Sequence, residues 1–160
     1  MVYEKGKAWG RSRLEVVRDG EIVQDTGFID NLFVAEGMSS CAAKMSGQAT
    51  PNPFDWIAVG SSATPAANVG DTDLSVELTA NGLARAQDGT PTVETVTETN
   101  DTMSINVSFS VTGTESVNEI GLCNATGTSG GDMMGRTVLG ATVSLLSGDT
   151  LNATYKITFS

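Results

Sequence analysis

Asp71 and Asp73 stand one residue apart in a stretch with no helical or strand periodicity. Alternate carboxylates can ligate Ca²⁺, but a full site needs six or more oxygens, and the spacing of a helix–loop–helix calcium loop is absent. The pair is therefore a weak metal candidate. Its ordinary role is to accept backbone N–H groups in a turn. Glu77, Glu94, Glu98 and Glu119 are the side chains from which a glycosidase would draw its acid and base. That chemistry needs two carboxyl groups at a set separation, which sequence does not place. Nucleophilic catalysis by a Ser, or by Cys41 or Cys123, lacks its usual partner. The chain has no His and no Gly-x-Ser-x-Gly elbow. Gly127-Thr-Ser-Gly-Gly131 has neither the following Lys nor the helix that would make it a phosphate loop, so it reads as a turn. The expectation is a protein that is not an enzyme and has no cofactor.

Other residues are suited to contact. Residues 1–18 hold Lys5, Lys7, Arg11, Arg13 and Arg18 against Glu4 and Glu15, a net of +3. The rest of the chain holds four basic and 17 acidic residues, and the whole carries −10. Such acidity argues against general nucleic-acid binding. A basic end on an acidic body can dock on an acidic neighbour or on another copy of the chain. The expected assembly interface is Lys5, Lys7, Trp9, Arg11, Arg13 and Arg18, the other reading being a solvated strand face. Trp9, Trp56 and Tyr155 are candidates for a sugar-binding platform, although aromatics of this kind more often anchor a core or an interface. Met133-Met134 fit either a core or an apolar contact patch. Asn100, Asn106, Asn124 and Asn152 begin glycosylation sequons, as chance allows in a chain rich in Asn, Ser and Thr.

The elements that must position these residues are mainly β. In residues 103–111 and 151–160 every odd-numbered residue is apolar or aromatic and every even-numbered one is polar. Period-two alternation marks a strand with one face in a core and one in water. Residues 8–18 predict a first strand, with Ser12, Leu14 and Val16 on one side and Arg11, Arg13 and Glu15 on the other. Asp19-Gly20 is a hairpin signal returning into 21–24. One helix is expected over 31–46, capped by Asp30 or Asn31, with Val34, Met38, Cys41 and Met45 on one face and Gly47 closing it. Residues 54–60 read as a short strand and 61–73 as a loop; Leu74–Leu83 is open between helix and strand. Residues 92–99 suit an edge strand. Residues 116–124 and 136–146 complete the set. Cys41 and Cys123 read as two buried thiols rather than a disulfide. No run is long enough to span a membrane, and no apolar stretch follows the N-terminus as in a signal peptide. The fold class expected is an antiparallel β-sandwich or jelly roll with one short helix in the N-terminal third. The chain divides into an N-terminal hairpin-and-helix region, 1–50, and a sandwich, 51–160, within one compact domain.

The order of motifs carries a resemblance. Trp56-Ile-Ala-Val-Gly60 is followed by a Ser/Thr/Pro loop, Asp71-Thr-Asp-Leu74, Glu77 and Arg85. An alternating strand, Asn118-Glu-Ile-Gly-Leu-Cys-Asn124 and Gly148-Asp-Thr-Leu151 follow. Over residues 54–160 this layout resembles small β-sandwich structural proteins of tailed viruses, with Cys123 standing where an aromatic is expected. The resemblance implies a virion protein. It would be a capsid decoration or turret subunit assembling as a homo-oligomer, in contact with copies of itself and with the major capsid protein. A tail, fibre or receptor- or carbohydrate-binding module is the alternative. The resemblance supplies no catalytic residues.

Overall fold

The computed structural model describes residues 8–49, 52–127 and 131–160, so Lys5, Lys7 and most of the Gly127–Gly131 turn lie outside the described residues. Among the described residues ten strands and one helix follow in order: β1 (Ala8–Arg18), β2 (Glu21–Asp25), β3 (Ile29–Phe33), α1 (Ala35–Met45), β4 (Trp56–Gly60), β5 (Ala86–Gln87), β6 (Thr92–Glu94), β7 (Thr102–Ser110), β8 (Glu115–Cys123), β9 (Met133–Leu145) and β10 (Thr150–Phe159). The protein is mainly β, every strand pair described is antiparallel, and the one helix is short. The strands join in the order β5-β4-β8-β9-β3-β1-β10-β7-β6, with β2 paired to β1 off this path, and the sheet curls into a half-barrel. Its two arms face each other across one core, a form compatible with a sandwich.

Alternation builds that core. From β1, Ser12, Leu14 and Val16 point inward, as their spacing predicts. Ile105, Val107 and Phe109 of β7 and Leu151, Ala153, Tyr155 and Ile157 of β10 join them from the same arm. The other arm contributes Ile57 and Val59 of β4, Ile120 and Leu122 of β8, and Leu139, Val143 and Leu145 of β9. Each such large aliphatic side chain contributes about 1.5–3 kcal/mol before chain entropy is subtracted. Phe159, at the end of β10, departs from the pattern and is exposed. Thr102, Ser104 and Thr158 depart the other way and are buried, Thr102 and Thr158 sharing a hydroxyl hydrogen bond of 2.8 Å.

Strand β8 is buried on both faces. A second, smaller cluster of Val34, Ala58, Leu74, Cys123 and Met133 covers the outer side of β4 and β8. Two-sided burial explains why Ile120-Gly-Leu-Cys123 does not alternate. Burial pushes the Cys123 thiol up to about 12. Both cysteines are free, as expected, although Cys41 is only half-buried.

Two seams are closed without strand pairing. Gln24 of β2 donates from Nε2 to the Thr142 carbonyl at 2.9 Å and accepts from the Ser144 N–H at 3.1 Å, so a side-chain amide stands in for a peptide between β2 and β9. On the opposite side the Asp88 carboxylate accepts from the Asn106 N–H at 2.7 Å, linking the end of β5 to β7. Asp19 and Gly20 both take positive φ, 51° and 84°, the conformation that Asp-Gly favours in a two-residue hairpin.

The helix differs from its expected form. It begins at Ala35, because residues 29–33 are β3, pairing with β1 and β9. Val34 occupies the N-cap position with no side-chain cap. Asn31 cannot serve there, since its amide lies between Gly10 and Gly135 and donates to the Tyr155 hydroxyl. Gly37 and Ser40 form the buried face, not Met38 and Met45. A Cβ on Gly37 would overlap the backbone of Met134, so only glycine lets α1 approach β9 this closely. Gly47 takes the left-handed conformation after the helix, as predicted. Residues 74–83 form neither helix nor strand beyond a single bridge, Gly60 to Glu77.

Candidate interaction surfaces

Because the even-numbered residues of β1 turn inward, Trp9, Arg11 and Arg13 share its outer face. The Arg11 guanidinium lies 4.1 Å from the centre of the Trp9 ring and 3.8 Å from Asp30. Arg13 grips Asp25 with two hydrogen bonds of 2.9 and 2.6 Å, approaches Glu15 at 2.9 Å and stands 5.8 Å from the Phe28 ring. Lys156 of β10 pairs with Glu94 and lies 5.6 Å from Phe28. Trp9, Arg11, Phe28, Val96, Lys156 and Thr158 line a hollow of about 160 Å³. At the far end of β1, Arg18 makes two hydrogen bonds to the buried Asp149, at 2.7 and 2.8 Å. The structure thus places Trp9, Arg11 and Arg13 together and Arg18 apart from them. Each arginine faces one of the chain's own carboxylates, so the local positive charge is largely neutralised within the fold.

These pairs have a pH signature. Two hydrogen bonds from Arg13 hold Asp25 at about 2, against an ordinary 3.8, and Arg18 does the same for Asp149. Asp101 is also held at about 2, chiefly by the Glu98 N–H with help from those of Val96 and Thr97. A carboxyl whose folded pKa lies below its unfolded value adds stability above the unfolded value, and that stability is lost as pH falls through the folded one. Glu36, raised by burial, works in the opposite sense but is one group against three. The thermal midpoint is therefore expected to be flat near neutrality and to fall between about pH 4 and 2. A midpoint rising over that window, followed by circular dichroism, would contradict these pairings.

The second surface is apolar. Because Gly37 and Ser40 take the sheet-facing side of α1, the stripe of Met38, Cys41 and Met45 is left at the side of the helix. With Phe33, Met134 and Phe159 it bounds a groove of about 220 Å³ with no charged side chain among its described lining residues. Met45 is 89% exposed and Phe159 55%. Contiguous exposed apolar surface of this kind marks a contact site, and unbranched methionines adapt to the shape of a partner. The sequence contained the stripe at helical spacing, which placed these residues on one face of the helix but did not say which side the sheet covers. Met133 and Met134 are both buried.

Asp71 and Asp73 form part of a lock on the 61–85 segment. Arg136 of β9, 1% exposed, donates to Glu119 (2.8 Å), Asp71 (2.9 Å), Ser75 Oγ (2.8 Å) and the Pro65 carbonyl (3.1 Å). Glu119, fully buried, also accepts from the N–H groups of Ser75 and Val76. Alongside, Arg85 makes two hydrogen bonds to Glu77 at 2.8 and 2.9 Å, and stands 3.6 Å from Asp73. Each aspartate thus faces a guanidinium, which makes the segment's chemistry that of ion pairing. Among the described residues no group of three or more potential metal ligands gathers. Asp71 and Glu119 meet here on Arg136, 65 and 17 residues further along the chain, a convergence that their spacing does not reveal.

The three aromatics do not share a platform. Tyr155 is buried, and Trp56 lies on β4, four strands along the sheet from β1. Trp56 borders an open hollow with Asn52, Asp55, Gln87 and Asn124. There Gln87 donates to Asp55 at 2.8 Å, and Asn124 is engaged by Asp132. Among the described residues no helix is long and apolar enough to cross a membrane. No protein-family model matches the chain, and none of the curated proteins matches it in sequence.

Proposed function

We propose that this chain is a structural subunit of a virus particle, a capsid decoration or turret protein that assembles as a homo-oligomer on the head. The observation that carries the assembly part is the apolar groove between α1 and the ends of β1 and β10, where Met45 and Phe159 stand exposed beside a well-packed core. Among the described residues β6 ends the sheet with no strand beyond it, an edge that a neighbouring molecule can cover. The virion part rests on the layout of residues 54–160 and its likeness to tailed-virus structural proteins. The neighbours on this reading are other copies and the major capsid protein, and the place is the capsid surface. Immunogold labelling of intact particles with antibody to this chain tests it. Gold on the heads is the expected result, and unlabelled particles would end the reading.

A second reading, a receptor- or carbohydrate-binding module of the tail or fibre, draws on the Trp56 hollow with its amide and carboxylate side chains. Gold confined to the tail, together with binding on a glycan array that is lost in Trp56→Ala, would favour it.

A further inference from the structure

Four of the five arginines donate at least twice to the chain's own carboxylates: Arg13 to Asp25, Arg18 to Asp149, Arg85 to Glu77, and Arg136 to Glu119 and Asp71. Arg11 is the exception. Among the described residues its one carboxylate neighbour is Asp30, at 3.8 Å, and the Asp30 side chain is 91% exposed. A pair this long and this solvated holds the guanidinium only weakly. The firmer contact is the Trp9 ring, whose centre lies 4.1 Å away. Stacking on an aromatic face fixes the plane of a guanidinium and leaves the N–H groups on its edge to donate.

Arg11 stands in the hollow that Trp9 and Phe28 border. Strand pairing builds the base of that hollow, with Trp9 opposite Thr158 and Arg11 opposite Lys156 across the β1–β10 ladder. Thr158, buried and bonded through its hydroxyl to Thr102, is the floor. Phe28 and Val96 join the lining from outside these two strands and are both exposed. The described lining holds two cations and no carboxylate, on a chain of net charge −10. Asp30 and Glu94, the partners of Arg11 and Lys156, stand outside it. The volume, about 160 Å³, is small beside the roughly 300–1,000 Å³ of sites for drug-sized ligands, so it suits a single ring.

We propose that this hollow binds a carboxylate-bearing sugar, a uronic or sialic acid unit. The carboxylate displaces Asp30 from the edge of Arg11, where a guanidinium can donate two parallel hydrogen bonds. The apolar face of the pyranose ring lies against Phe28 and Val96, and Lys156 adds a second positive charge. An acidic side chain of a protein would use Arg11 but has no ring face to cover Phe28. The site lies apart from the Trp56 hollow, four strands along the sheet, and sugar binding here is independent of placement on a particle.

Titration of the full chain, followed by ligand-observed NMR, tests the site with D-glucuronic acid and N-acetylneuraminic acid. D-glucose and acetate serve as references. At least one of the two acids is expected to bind with a Kd on the order of 1 mM, and the tighter one identifies the source. Glucose and acetate are each expected to bind about tenfold more weakly or not at all. Arg11→Gln is expected to weaken the acid by about tenfold or more, through lost charge-assisted hydrogen bonds. Phe28→Ala should bring it down to the level of acetate. Asp30→Ala removes the competing carboxylate and should tighten binding about two- to fivefold, a gain that no loss of folding can mimic. Trp56→Ala should change nothing. Arg11, Phe28 and Asp30 are all at least partly exposed, and unchanged circular dichroism confirms that the variants are folded. Acids that bind no better than acetate would overturn the proposal, as would glucose that matches them. So would an Arg11→Gln protein that binds like the wild type, or a loss confined to Trp56→Ala, which would move the sugar to the other hollow.

Discussion

Glu119→Ala is expected to lower stability by about 3–5 kcal/mol, the usual effect of removing one partner from a buried ion pair. The reason is what stays behind. Arg136 would remain buried with only Asp71, Ser75 and a carbonyl around its guanidinium, and the N–H groups of Ser75 and Val76 would lose their acceptor. For a chain of this size each kcal/mol shifts the midpoint by roughly 2–4 °C, so the fall should be on the order of 10 °C. The 61–85 segment should loosen first, since Glu119 and Arg136 tie it to β8 and β9. Asp73→Ala offers the contrast. That side chain is half-exposed and 3.6 Å from Arg85, a pair expected to contribute about 1 kcal/mol or less. Replacing both members, Glu119→Leu with Arg136→Met, should recover only part of the loss: the buried guanidinium is gone, but the Asp71 carboxylate loses its partner and the Ser75 and Val76 N–H groups still lack an acceptor. Thermal unfolding of the three variants checks the order. A Glu119→Ala protein within about 1 kcal/mol of wild type would show that the segment is held by other means.

Deleting residues 1–18 is expected to abolish folding. From the sequence, the basic end could be an anchoring arm carried by an independent sandwich. In the structure β1 lies between β3 and β10, pairs with β10 from Ala8 to Val17, and sends the fully buried Leu14 and Val16 into the core. Removing it would expose the inner edge of β10 and detach β2, whose only strand partner described is β1. Two lost core side chains and an entire strand ladder approach the 5–15 kcal/mol by which domains are usually stable. The truncated chain should be insoluble, or soluble with no cooperative thermal transition. A truncated protein with a sharp transition near that of the wild type would restore the removable arm.

What the sequence revealed, and what it concealed, follows from how far apart the interacting residues lie. Alternation is local, so β1, β7 and β10 were legible with their facing. The exceptions lie at one end of the sheet. There Thr102 and Thr158 bond to each other across the β7–β10 ladder, and Phe159 emerges beside Ala8. The Asp19-Gly20 turn was legible because the required positive φ values are a property of those two residues. In the helix, the apolar stripe existed but did not determine the packing. Gly37 did, through backbone contact that no larger residue allows, and so the stripe became a surface feature. The Arg136–Glu119–Asp71 lock joins residues from three parts of the chain. The one local hint was the non-alternating run around Glu119, which signals burial on both faces without naming the partner. The arginines of β1 looked like an external patch because Asp25 and Asp149 become their neighbours only after folding.

The core and its ion pairs cause the fold, and the proposed function gives assembly on a virus particle to the surfaces that the fold leaves apolar. Quantitative peptide mass spectrometry of purified particles tests that assignment most directly. The account predicts peptides of this chain in hundreds of copies per particle, at a fixed ratio to the major capsid protein. Particles free of the chain would contradict it.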